Sequence, residues 1–295
     1  MLGRLLHTRV RLVAMFVLAA VPFSPPRVCA QAGGKQTPGV EFDMKATIAV
    51  SGAMSGMVAG MPPGYSAHGV AVGARLRIDI VDGGLAMLAD KGDYILFDTA
   101  GMTVVHPGKK EFVVVPRELP SKMVEQIQAL GMTVTVGEIA LSLDSLPGTD
   151  TVAGFPTRHY KTSVDYTVTL EGMGASQAMK TKATSEYWMA SVPGLASNPL
   201  EQTNQVSGSA QGITAMSSSG PFKELSARSD SLTRHLAGTA VRTRATTNTD
   251  IGAAGNLGLD MSAEMSNVKH GPVAASLFAV PADYTRGALP FPGGI

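Results

Sequence analysis

Met54, Met57 and Met61 fall close together in a stretch punctuated by glycine and proline, and His68 follows seven residues after the last of them. Thioethers beside an imidazole form a soft donor set that suits Cu(I), so these four residues are the candidate metal site. The competing reading is that methionine is a pliable apolar filler, suited to a surface that holds variable apolar ligands. The chain has 16 methionines, and Met44, Met261 and Met265 sit at alternating positions of strand-like segments, so filler accounts for more of the pattern than copper. The other candidate chemistry is thinner. His68, His106, His159, His235 and His270 are too scattered for a local zinc motif, and each is expected to be hydrogen-bonded or exposed. Ser176, within Gly174-Ala175-Ser176-Gln177-Ala178, approaches a nucleophile elbow but has alanine for the final glycine, and it falls at a hairpin rather than a strand-turn-helix. Hydrolysis by Ser176 is therefore the remotest of the readings. Pro107-Gly108-Lys109-Lys110 lacks the glycine spacing of a phosphate loop and reads as a charged turn. Glu41, Asp43, Arg75, Arg77 and Asp79 form outward charge rows, and no two acids stand isolated together for acid-base work. Trp188, the single tryptophan, reads as a packing anchor rather than a stacking platform. No catalytic residue and no cofactor is expected.

The elements that would carry these residues are mostly strands. Phe42, Met44, Ala46, Ile48 and Val50 alternate with polar neighbours, the period of two that turns one strand face to a core. Ser51 to Gly69 reads as loop, and alternation returns from Arg75 to Ile80. Asp93 to Thr99, Met102 to His106 and Glu111 to Val115 read as a meander separated by turn sequences. Ser121 is the expected cap of a short helix through Met123, Val124, Ile127 and Leu130 with Gly131 behind it, and strand returns at Met132 to Val136. Beyond a break at 147–150, Tyr160 to Leu170 pairs with Lys180 to Met189 across a Gly172–Ala175 turn. A second helix is expected from Pro221 through Phe222, Leu225, Leu232 and Leu236, ahead of strands over Val241 to Thr249 and Leu257 to Val268. The fold expected is mainly β (β-rich α+β): one large curved antiparallel sheet or unclosed barrel, covered by two or three short helices.

The first thirty residues have another character. Arg4, Arg9 and Arg11 precede an apolar run over 12–21, and Val28-Cys29-Ala30 offers a small-x-small cleavage site, so 1–30 reads as a signal peptide. The only cysteine, Cys29, leaves with it; lipidation there is disfavoured by Pro26 and Arg27. Removing the four arginines of this segment leaves 20 basic against 23 acidic residues, a charge of −3 that gives no footprint for nucleic acid or an anionic membrane. No later apolar run is long enough to span a bilayer, so the chain is not expected to be an integral membrane protein. The organisation expected is a signal at 1–30, a disordered leader at 31–39, a first β-rich half at 40–146 and a second at 147–295 that continues one sheet. The location expected is periplasmic or secreted, in a Gram-negative-type envelope, where soluble nucleotide cofactors are scarce.

Three segments carry a family resemblance: Gly92-Asp93-Tyr94-Ile95-Leu96-Phe97-Asp98 through Lys110-Glu111-Phe112; Gly154-Phe155-Pro156-Thr157-Arg158-His159-Tyr160 with Glu186-Tyr187-Trp188-Met189; and Ala275-Ser276-Leu277-Phe278-Ala279-Val280-Pro281-Ala282-Asp283-Tyr284. They resemble the periplasmic lipoprotein-carrier superfamily, in particular its branch called domain of unknown function 4412, although Asp283 stands where that closing segment usually has glycine. The resemblance implies an unclosed β-barrel covered by helices, with an apolar concavity that takes acyl chains, and it brings no catalytic residues. The expectation is a non-enzymatic binding protein for a lipid, acyl chain or lipoprotein-like ligand. Its expected core or cavity lining is Phe42, Met44, Ile78, Val134, Val164, Tyr166, Val168, Met261 and Met265.

Overall fold

The computed structural model of the chain describes residues 36–288 except 59–61, 86–87, 100, 117–124, 126–127, 130, 173–174, 197 and 207–219. The expected signal peptide, Met61 and nearly all of the helix expected from Ser121 lie outside the described residues. In chain order the elements are β1 (Gln36–Ser51), β2 (Gly64–Val72), β3 (Arg75–Leu85), β4 (Ala89–Asp90), β5 (Tyr94–Phe97), β6 (Gly101–His106), β7 (Glu111–Pro116) and β8 (Thr133–Leu146). They continue with β9 (Thr151–Val152), β10 (Phe155–Pro156), β11 (Arg158–Gly172), β12 (Ala175–Ala190), α1 (Pro199–Val206), α2 (Lys223–Thr233), β13 (Thr239–Asp250), β14 (Asn256–Ala274) and β15 (Thr285–Arg286).

Thirteen strands form one sheet in the order β15-β7-β6-β5-β3-β2-β1-β14-β13-β12-β11-β8, with β4 hanging from β3, while β9 and β10 form a separate hairpin. The sheet is not closed into a barrel. It is antiparallel, as expected, except that the two-residue β15 lies parallel to β7 and makes the sheet mixed at its edge. The middle is the pairing of the first strand with the last long one, β1 against β14, Gln36 opposite Ala274 and Ser51 opposite Gly258. Both halves of the sequence enter this sheet, because β8, ending at Leu146, pairs along β11. β1 begins at Gln36, so strand extends into the segment expected as a disordered leader.

Alternation explains the core. Val40, Phe42, Met44, Ala46 and Ile48 are buried on one face of β1, with Leu76, Ile78 and Ile80 from β3 and Ile95, Phe97, Met102 and Val104 from β5 and β6. Between β1 and β3 lies β2, whose first residues, 64–69, had read as loop. It carries Tyr65, Ala67, Gly69 and Ala71 on this face, and a Cβ at Gly69 would overlap the Phe42 ring. Small residues there make room for the phenylalanine, and they also erase the hydrophobic alternation by which a strand is read.

The same face holds a second core: Val134, Val164, Tyr166, Val168 and Ala183 lie against Phe222 and Leu225 from the start of α2. The expected helix at Pro221 is thus present, but it ends at Thr233 and leaves Leu236 in the connection to β13. Across the opposite face of the first half runs the closing segment. Leu277 and Phe278 pack against Val70, Val72 and Val273, and Val280 and Tyr284 pack against Tyr94, Leu96 and Val105. Arg77 fastens this strap, lying 3.8 Å over the Tyr94 ring, pairing with Asp79 (2.6 Å) and donating to the Leu277 carbonyl (3.0 Å). Asp283 pairs with Lys110 at 2.9 Å, between the closing segment and the turn before β7.

Candidate functional site

A pocket of about 330 Å³ opens where β12, the connector after it, α1 and the end of α2 converge. Tyr187 and Met189 reach it from β12; Val192, Leu195 and Ala196 from the connector; and Leu236 from the link between α2 and β13. Polar groups from Ser191, Asn198, Glu201, Thr233 and Thr239 complete the wall. The connector is pinned at two points. Leu195 bridges to Gly73, and His270 Nε2 donates to the Pro193 carbonyl at 2.8 Å. On the other side Gly238, at φ 105°, turns the chain into β13 against the Ala190 carbonyl, where a side chain would collide.

Asn198 starts α1. Its Oδ1 accepts from the Glu201 amide (3.4 Å), its Nδ2 donates to Glu201 Oε2 (3.2 Å), and Pro199 follows as the first helical residue. Burial raises the Glu201 carboxyl above its ordinary pKa of 4.5; the Asn198 bond opposes this and the charge of Asp230 adds to it. The residue as a whole is still solvent-exposed, so the crowding concerns the carboxyl's surroundings rather than an enclosed side chain. Beneath α1, Leu200 and Thr203 are fully buried, and burial pushes the Tyr65 hydroxyl up to about 12, against the opposing effect of the Thr203 hydroxyl.

The residues expected to line a cavity are all buried, but they are divided. Phe42, Met44, Ile78 and Met265 belong to the first core and Val134, Val164, Tyr166 and Val168 to the second, while Met261 lies on β14 outside both. None of them lines the pocket under α1. The residues that do line it come from separate stretches, and the signal for them was the Asn-Pro-x-Glu start of a helix at 198–201.

The copper donors are not brought together among the described residues. Met54 is half-buried ahead of a short 3-10 helix (Ser55–Val58), the Met57 side chain and Met61 lie outside the described residues, and His68 is engaged by Asp43 at 2.9 Å. No group of three or more His, Cys, Asp or Glu residues poised to hold a metal occurs among the described residues. The other histidines are partnered or exposed. His106 donates to Asp93 (2.8 Å), His159 to Glu186 (3.0 Å), and His235 is exposed. The His106–Asp93 pair borders a second pocket of about 320 Å³, but among the described residues no serine, threonine or cysteine lines it to serve as a nucleophile. Ser176 lies opposite Glu171 in the β11–β12 hairpin, without the strand-turn-helix that presents a nucleophile. Trp188 is 7% exposed, donates to Asp150 Oδ2 (3.0 Å) and stacks on His159 at 4.1 Å, as a packing anchor does. No helix among the described residues is long and apolar enough to cross a membrane. No family model matches the chain, and neither a curated protein nor a solved structure matches it.

Proposed function

We propose that the protein is a non-enzymatic extracytoplasmic binding protein that takes an acyl chain or a lipoprotein-like lipid under α1. The observation that carries this reading is the pocket of about 330 Å³ between α1, the end of α2 and the sheet, where an apolar patch from Tyr187, Met189, Val192, Leu195 and Leu236 lies beside a larger polar wall around Asn198 and Glu201. That volume and mixture suit a small amphipathic ligand. The unclosed sheet supports the same reading, because short helices covering an open sheet can separate from it more easily than strands can leave a ladder. The resemblance to the lipoprotein-carrier superfamily points the same way.

The polar side of the pocket narrows the headgroup. Glu201, under the influence of Asp230, disfavours a second carboxylate, so an ester, an amide or a cationic head fits better than a free fatty acid. The test is calorimetric titration of delipidated protein with a monoacylglycerol and with the fatty acid of equal chain length at pH 7.5. The monoacylglycerol should bind and raise the melting temperature, and the fatty acid should bind at least tenfold more weakly, a gap that Glu201→Gln narrows. Ala196→Trp, at an exposed rim position, should abolish binding of both. No binding of either lipid, or binding untouched by Ala196→Trp, would overturn the proposal.

A further inference from the structure

On the opposite face of the sheet, β1, β14, β13 and β12 enclose a groove of about 500 Å³ whose chemistry differs from that of the pocket under α1. Two cross-strand rows line it. The first reads Lys45, Glu264, Arg242, Trp188, and the second Thr47, Ser262, Arg244, Glu186. In a ladder such residues stand side by side on one face, so the groove follows from the register. Both of its carboxylates are already engaged: Glu264 accepts from Arg242 Nε (2.8 Å) and Glu186 from His159 (3.0 Å). The Thr47 and Ser262 hydroxyls bond each other at 2.7 Å, within the second row and beside Arg244. Lys45 and Arg244 are exposed, and neither forms an ion pair among the described residues.

We infer that this groove binds a phosphate group. Lys45, Arg242 and Arg244 set against Glu186 and Glu264 leave the groove net positive, and Lys45 and Arg244, which approach from two strands without an ion-pair partner among the described residues, suit the negative charge of a phosphate monoester at neutral pH. The guanidinium of Arg244 offers a planar fork to two oxygens, the lysine a point charge, and the hydroxyls of Thr47, Ser262 and Ser266 further donors. The site does not rest on lipid binding. Tyr187 and Met189 face the pocket while Glu186 and Trp188 face the groove, so either assignment stands if the other fails.

Trp188 is the only tryptophan of the chain and lines the groove, so its emission is a direct reporter. Full-length protein in low salt is titrated with inorganic phosphate and with glucose 1-phosphate, following fluorescence and heat. Saturable binding is expected below about 10 mM. Arg244→Gln and Lys45→Gln should each weaken it about tenfold, and Lys223→Gln, an exposed change on α2, should leave it unaltered. Circular dichroism confirms that the variants fold. Glucose 1-phosphate binding tenfold tighter than phosphate assigns the site to a phosphorylated sugar, and equal affinity assigns it to the free anion. Absence of saturable binding by either probe, or affinities unchanged in both groove variants, would overturn the inference.

Discussion

Asp43 shows how single side chains hold the outward face together. Its carboxyl lies in partial burial that pushes the pKa up, yet hydrogen bonds from Asn267 (2.8 Å) and His68 (2.9 Å), with the charges of His68 and Lys269, outweigh burial and bring it below the usual 3.8. A carboxylate depressed by folding contributes stability above its unfolded pKa, and that contribution is lost as pH falls through the folded value. Asp43→Asn should therefore cost less than about 1 kcal/mol at pH 7, because both partners are half-exposed. The difference from wild type should shrink as pH falls below 3.8, read from urea unfolding at pH 7 and in acid. A difference independent of pH would mean that packing, not charge, sets the effect. Asn267 reaches Asp43 because β14 bulges there, with Asn267 at φ 52°. Spacing alone disclosed the charge row containing Asp43 but not its partners, which lie 25 and 224 residues away.

At the scale of elements, legibility followed side-chain size. The strands β1, β11 and β14 alternate large apolar and polar residues, and their existence was plain in the sequence. The start of β2 was hidden because, after Tyr65, its core positions are Ala67 and Gly69, and Gly69 makes room for the Phe42 ring rather than burying surface of its own. α1 was hidden for a different reason: it spans only eight residues, and its fully buried Leu200 and Thr203 are one apolar and one polar residue, which makes no hydrophobic stripe to read. The parallel seat of β15 has no local signal at all, being made by Thr285 and Gly287 bonding back to the Lys110 and Phe112 carbonyls. Burial sets the expectation for the covering helices. Leu200→Ala in α1 and Leu225→Ala in α2, both fully buried, should each cost about 2–5 kcal/mol by denaturant unfolding. Leu200→Ala should in addition weaken any ligand bound under α1, whereas Leu225→Ala, packed in the other core, should leave it bound. Equal effects on binding would show that the helices act as one cover.

For the whole molecule, β-rich content and an open, helix-covered sheet were readable from alternation, while the order of strands was not, since register depends on pairs far apart in sequence. The site was hidden for the same reason, its wall being assembled from residues 187–201 and 233–239. Such topology predicts slow folding. Stopped-flow refolding of the chain should have its main phase in milliseconds to seconds or longer, and a microsecond phase carrying the full amplitude would contradict the architecture. The central pairing sharpens this, because β1 finds its principal neighbour only in β14. A growing chain thus has no middle to its sheet until some 220 residues after the first strand, when Asn256–Ala274 is made. Before then the only strand paired with β1 is β2, so one whole edge of β1 waits unpaired through most of synthesis.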